Sequence, residues 1–180
     1  MQELLSSGYS KTEVAENLYL NYHSIINTDE VYKIRKRIAH DYDCNINDVK
    51  LIGSAHTGYT YKEERLQKRE HPKDYDFAII NANVFVKYFH KVDINKLHPN
   101  HANRAFYEEI EKTNQAIMDD LNVTMHISVC FYLSEKAFID GLVSYNSDLY
   151  TGELKRIKEK EPQIDVIEEF GIKEIRKLED

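Results

Sequence analysis

The sequence predicts an α/β fold, short strands alternating with helices, and three observations predict it. Apolar runs at 49–52, 75–80 and 123–133 have the length and the β-branched and aromatic composition of strands. The stretches between them carry apolar residues three and four apart, the spacing of a helical face. The chain has 180 residues, 42% of them hydrophobic. A chain of roughly 150 residues buries about 68–70% of its unfolded surface, so one self-sufficient core is expected.

The elements follow in order. Ser10-Lys-Thr-Glu13 is a capping-box pattern and opens a short helix to about residue 20. Asn27-Thr-Asp-Glu30 is a weaker cap before Val31, Ile34, Ile38 and Tyr42, which line one helical face ending near Asp43. Residues 49–52 form a strand that Gly53-Ser54 breaks. Residues 61–71 have helical composition, with Glu64 and Lys68 at i, i+4 and Pro72 behind them. Residues 75–80 are the second strand, 84–92 a helix and 103–121 a longer one. In 123–133, Val123, Met125, Ile127, Val129, Phe131 and Leu133 alternate with Thr124, His126, Ser128, Cys130 and Tyr132, which is the clearest strand pattern. Helices are expected over 134–146, 151–161 and 163–178. The last carries Ile164, Ile167, Phe170, Ile172, Ile175 and Leu178, a face for the domain or for a partner. The expected organisation is an N-terminal helical segment (1–28), a central domain (29–150) and a helical tail (151–180).

Composition narrows the class. There are 24 Lys+Arg against 31 Asp+Glu, a net charge of −7. No run of about 18 apolar residues exists to span a membrane. The first residues lack the basic and apolar regions of a signal peptide. Cys44 and Cys130 are too few for a disulfide framework, so a reducing, cytoplasmic compartment is expected. The charge is uneven: residues 1–30 sum to −4, 31–73 to +4 and 74–180 to −7. A basic middle attracts a local anion such as a nucleotide phosphate. Lys62, Arg65, Lys68, Arg69 and Lys73 screen a triphosphate, guide a nucleic acid, or form a solvated helix face with Glu63, Glu64 and Glu70.

The residues that carry chemistry are a Gly-Ser turn and an Asp-x-Asp pair. Asp74 and Asp76 are two apart on a strand, so both carboxylates project from one face. Two close carboxylates repel unless a cation lies between them, and Mg²⁺ takes one or two carboxylates together with substrate phosphates. Gly53 lets a ligand approach the backbone and Ser54 adds a hydroxyl. Amides at a strand-to-helix turn attract anions, and Thr57 and Gly58 continue that loop. His56 lies in the same loop, where exposure is expected. The loop is thus suited to a triphosphate and the carboxylates to its metal.

Leu51-Ile-Gly-Ser-Ala55 followed by Asp74-Tyr-Asp-Phe-Ala-Ile-Ile80 resembles the signature of the polymerase-beta-type nucleotidyltransferase superfamily, in particular its small bacterial minimal members, over residues 29–133. The resemblance implies a small mixed β-sheet flanked by helices (α+β), with the N- and C-terminal helices as additions. It implies that Gly53 and Ser54 bind nucleotide phosphates and that Asp74 and Asp76 bind one or two Mg²⁺ (or Mn²⁺). The implied activity moves a nucleoside monophosphate from a nucleoside triphosphate such as ATP to a protein, small-molecule or RNA acceptor. Small members of the superfamily often work in bacterial toxin–antitoxin or phage-defence pairs, which implies a helical partner protein.

The sequence departs from that pattern twice. Ser54 and Asp74 are 20 positions apart, longer than usual, with the expected 61–71 helix as an insertion. The family's third carboxylate belongs on the next core strand, yet 123–133 contains no Asp or Glu. By alternation, His126 or Ser128 faces that position, and His126 is the candidate base or metal ligand. The alternatives are a carboxylate from elsewhere, or an inactive module that binds a nucleotide or partner as a regulator. His98 and His101 lack the companions of a zinc site. Gly8 to Leu18 resembles the entry to a helix-turn-helix with a second helix through Ile25-Ile26, but Lys11 is its single cation, too few to track phosphates.

Overall fold

The computed structural model describes residues 4, 6–62, 65–69, 71–89, 104–145, 164–168 and 172–177. They are mixed α/β, with helices and a small mixed sheet of three strands. The chain divides into two compact units. One comprises 23–58 and 69–138, and the other 1–22, 59–68 and 139–180.

The first unit starts from helix α2 (Asp29–Asp41). Thr28 caps it by accepting from the Val31 amide, and Asp29 and Glu30 in the first turn oppose the positive end of the helix. Val31, Ile34 and Ile38 are buried along one face, as their spacing predicts. A 3₁₀ turn (Ile46–Asp48) leads into β1 (Val49–Ile52), and Gly53 opens the one-turn helix α3 (Gly53–Thr57). After β4 (Asp74–Ile80), the Asn81 side chain accepts from the Asn83 and Val84 amides at 2.9 and 3.1 Å and starts α4 (Ala82–Phe89). Residues 90–92 of the expected 84–92 helix lie outside the described residues.

Helix α5 (Arg104–Leu121) ends in a Schellman closure. Asn122 takes φ 53°, its amide donates to Asp119 O, and the Val123 amide donates to Met118 O at 2.9 Å. This closure claims residues that alternation assigned to a strand. Strand β5 is therefore His126–Tyr132, shorter than the expected 123–133.

In the sheet the order is β1–β4–β5, with β1 antiparallel and β5 parallel to β4. One face carries Val49, Leu51, Tyr75, Phe77, Ile79, Ile127, Val129 and Phe131. These pack with Ile34 and Ile38 of α2 and Ile110 and Ile117 of α5 into one core. Each fully buried side chain of this size contributes about 1.5–3 kcal/mol. Tyr42, Tyr88 and Phe131 close one end as an edge-and-tilt ring cluster with centroids 5.4–6.1 Å apart.

In the other unit, α1 (Lys11–Glu16) begins at Ser10 with the capping box intact: Glu13 N donates to Ser10 Oγ, and Ser10 N donates to Glu13 Oε2. A π-turn (Asn17–Asn21) extends it. The second helix expected through Ile25-Ile26 does not form. Those two amides donate to His56 O and Ala55 O, carbonyls that α3 leaves unpaired.

The stretch expected to be helical at 61–71 is a hairpin, β2 (Tyr59–Lys62) antiparallel to β3 (Arg65–Lys68). Tyr59, Thr60 and Tyr61 favour extended backbone, and cross-strand pairing overrides the helical composition of the Lys and Glu residues. The Arg69 amide bonds to Gly58 O at 2.6 Å, so the chain leaves and re-enters the first unit at one point. The helix expected over 134–146 is α6 (Glu135–Tyr145). The helix expected over 163–178 is instead a hairpin, β6 (Ile164–Glu168) antiparallel to β7 (Ile172–Lys177). Its β-branched residues fit strands, and Gly171 interrupts any helical run. The expected 151–161 helix lies outside the described residues. Among the described residues no helix is long and apolar enough to cross a membrane.

Candidate functional site

The second face of the sheet gathers the polar residues. Ile52 pairs with Asp76, Asp74 with His126, and Asp76 with Ser128. Registered partners project from the same face, so Asp74, Asp76, His126 and Ser128 share it. Farther along, Ala78 pairs with Cys130, and both are buried. The face is polar and part-exposed at the Asp74 end and apolar at the other.

Asp76 is the centre of the arrangement. Its Oδ1 accepts from Ser128 Oγ at 2.5 Å. Its Oδ2 lies against Gly53: a Cβ added there would stand 2.7 Å from that oxygen. Gly53 also has φ +64°, a left-handed conformation that side chains disfavour. Close approach and backbone hand both require glycine at this turn. Thr57 Oγ1 donates back to Gly53 O at 3.1 Å. The Gly58 amide bonds to Ser54 O at 2.8 Å and ends α3 in a left-handed cap. A side chain on Gly58 would collide with Ile25 Cδ1. Gly53 and Ser54 therefore belong to a tight, locked turn beside Asp76, while Thr57 and Gly58 close its far end.

Asp74 is half-buried, and its side chain makes no hydrogen bond or ion pair among the described residues. His126 pairs with Asp74 through the backbone, but its ring turns to α5, where Nε2 lies 3.4 Å from Glu111 Oε2. His56, expected to be exposed, is 5% exposed, and its Nδ1 shares a 2.7 Å hydrogen bond with Ser24 Oγ. The amides of Ile25 and Ile26 hold that segment on α3. The Cys130 thiol donates to Phe77 O, and burial pushes it up to about 12. On the core face, Tyr75 Oη donates to Glu30 at 2.8 Å; burial, then Glu30, pushes it up to about 12.

Among the described residues, no three His, Cys, Asp or Glu side chains gather tightly enough to enclose a metal by themselves. The donors at hand are the two carboxylates of β4. That set suits a hard cation sharing its remaining positions with phosphate oxygens and water. Glu111 and Ser24 come from distant parts of the chain and no spacing rule signals them, whereas alternation along 123–133 already puts Ser128 on the face of His126.

No family model, no curated protein and no solved structure matches this chain.

Proposed function

We propose that the chain is a Mg²⁺-dependent nucleotidyltransferase. One observation carries this reading: the Asp76 carboxylate stands between the Gly53 turn and the Ser128 hydroxyl, with Asp74 on the same face one residue-pair away. In this reading a nucleoside triphosphate lies with its phosphates beside the Gly53–Ser54 turn. Asp74 and Asp76 would hold the cation, Mg²⁺ or Mn²⁺. When bound, it neutralises charge on the phosphates and on the leaving pyrophosphate. The chain's own part is to bind and align. Gly53 admits the phosphates, Asp76 is fixed by Ser128, and Asp74 completes the oxygen set. A protein, small-molecule or RNA acceptor, a helical partner protein, a role in toxin–antitoxin or phage defence and a cytoplasmic location are supported by the sequence resemblance and composition alone.

A second reading is an inactive module that binds nucleotide or a partner as a regulator. Its support is the β5 face, where His126 and Ser128 stand in register with the two aspartates and no carboxylate does.

The test is equilibrium binding of ATP and the other ribonucleoside triphosphates with Mg²⁺ or Mn²⁺, followed by incubation with labelled nucleotide and a cell extract. The enzyme reading expects metal-dependent binding that Asp76→Asn abolishes without unfolding the chain, and a labelled product. Metal-dependent binding without transfer selects the regulatory module. Binding indifferent to Asp76→Asn sinks both.

A further inference from the structure

We propose that the chain is its own acceptor: it transfers a nucleoside monophosphate to the Ser128 hydroxyl. The inference rests on the nucleotidyltransferase reading and names a substrate for it.

The nucleophile and its base are already in contact. Ser128 Oγ donates to Asp76 Oδ1 at 2.5 Å. A hydroxyl held by a general base within hydrogen-bond reach is the common mark of an activated nucleophile.

Their placement suits the reaction. Displacement at phosphorus is roughly in line, so the attacking and leaving oxygens lie on opposite sides. The strand order β1–β4–β5 puts the Gly53 turn, at the end of β1, on one side of Asp76 and Ser128 on the other. The two oxygens of one carboxylate record this: Oδ2 faces Gly53, and Oδ1 accepts the Ser128 hydrogen bond. A triphosphate seated at Gly53 directs its pyrophosphate toward β1 and turns the α-phosphorus toward β5.

The neighbours leave Ser128 as the acceptor. On that face of β5, His126 is exposed and turned to Glu111, while Cys130 is buried with its thiol on Phe77 O. Ser128 is half-buried, between the exposed His126 and the buried Cys130.

The step balances. A bond forms between Ser128 Oγ and the α-phosphorus. The bond from that phosphorus to the oxygen bridging to the β-phosphate breaks, and its electron pair leaves with pyrophosphate. The Ser128 proton passes to Asp76 Oδ1. The product is a phosphodiester joining Ser128 to the nucleoside. It can no longer donate to Asp76, and it fills the site, so the reaction stops at one nucleotide per chain.

The full chain is incubated with Mg²⁺ or Mn²⁺ and each α-labelled ribonucleoside triphosphate, denatured, weighed intact and mapped by peptide sequencing. The expected result is a mass gain of one nucleoside monophosphate on the peptide bearing Ser128. Ser128→Ala loses that label and Ser128→Thr keeps it. Label that maps elsewhere or survives in Ser128→Ala overturns the proposal. So does an unlabelled wild-type chain that binds nucleotide in an Asp76-dependent way; in that case the nucleotide-binding reading stands and only the acceptor is wrong. A wild-type chain that binds no nucleotide overturns both.

Discussion

Gly53 and Asp76 are locked to each other: the Asp76 carboxylate fills the space that any side chain at position 53 would need. Gly53→Ala should therefore fail for two reasons. The left-handed φ costs about 1–2 kcal/mol for a residue with a Cβ. The new methyl also displaces Oδ2, and Asp76 cannot swing away without losing the Ser128 hydrogen bond. The expected outcome in urea titration is a stability loss of about 1–3 kcal/mol, with loss of metal-dependent nucleotide binding. A stable variant with wild-type affinity would show that the pocket lies elsewhere.

The His126–Glu111 pair carries a different expectation. Its side chains are 56% and 32% exposed and 3.4 Å apart. Exposed pairs of this kind couple by about 0–1 kcal/mol. A double-mutant cycle of His126→Ala and Glu111→Gln should give a coupling within that range. A coupling well above it would show that the pair is a structural strut. If His126 serves the site instead, His126→Ala lowers metal-dependent transfer while leaving the melting temperature where it was.

These two sites mark what the sequence makes legible. The α2 face of Val31, Ile34 and Ile38 and the alternation along β4 and β5 are local periods, readable one residue after another. The pairing of Asp76 with Ser128 follows from alternation only once β5 is known to lie beside β4. The partner of His126 stands 15 positions away on a helix, and no period links them. The β2–β3 hairpin misleads for a related reason. Its Lys and Glu residues favour a helix locally, while Tyr59 and Lys68 gain their strand conformation from each other. Asn122 hides the start of β5, because a left-handed Asn that ends a helix looks in sequence like any polar residue before a strand.

The cysteines predict the pH behaviour. Burial, then Asp48 and Asp43, pushes the Cys44 thiol up to about 11, and burial pushes Cys130 up to about 12. Unfolded, both return to about 8.5. The unfolded chain therefore releases these protons first and binds fewer of them as pH rises. The sign follows: this stability is fully present below pH about 8.5 and is lost as pH climbs toward 11–12. The urea midpoint should fall steadily above pH about 9. At pH about 8 the native chain should react slowly with a thiol reagent at both positions, and the denatured chain quickly, because the thiolate is the nucleophile. Rapid native labelling of Cys44 would contradict its environment.

Asn114 gives the clearest stability test. It lies on α5 with Ile110 four residues before and Ile117 three residues after, all three on the face turned into the core. It is 1% exposed, and among the described residues neither its Nδ2 nor its Oδ1 has a hydrogen-bond partner. An unpartnered buried polar group costs about 1–3 kcal/mol, because it gives up water and gains nothing in return. Two substitutions separate that cost from packing. Asn114→Leu keeps the branched skeleton but replaces both polar atoms with bulkier methyl groups; removing the unpartnered amide outweighs the tighter packing, so stability should rise by about 1–2 kcal/mol. Asn114→Ala also removes the polar atoms but leaves a cavity among the isoleucines, and the cavity offsets the gain. The Leu variant should therefore unfold at higher urea than wild type, with an unchanged m value, and the Ala variant below the Leu variant. A Leu variant less stable than wild type would mean that the amide is partnered in solution.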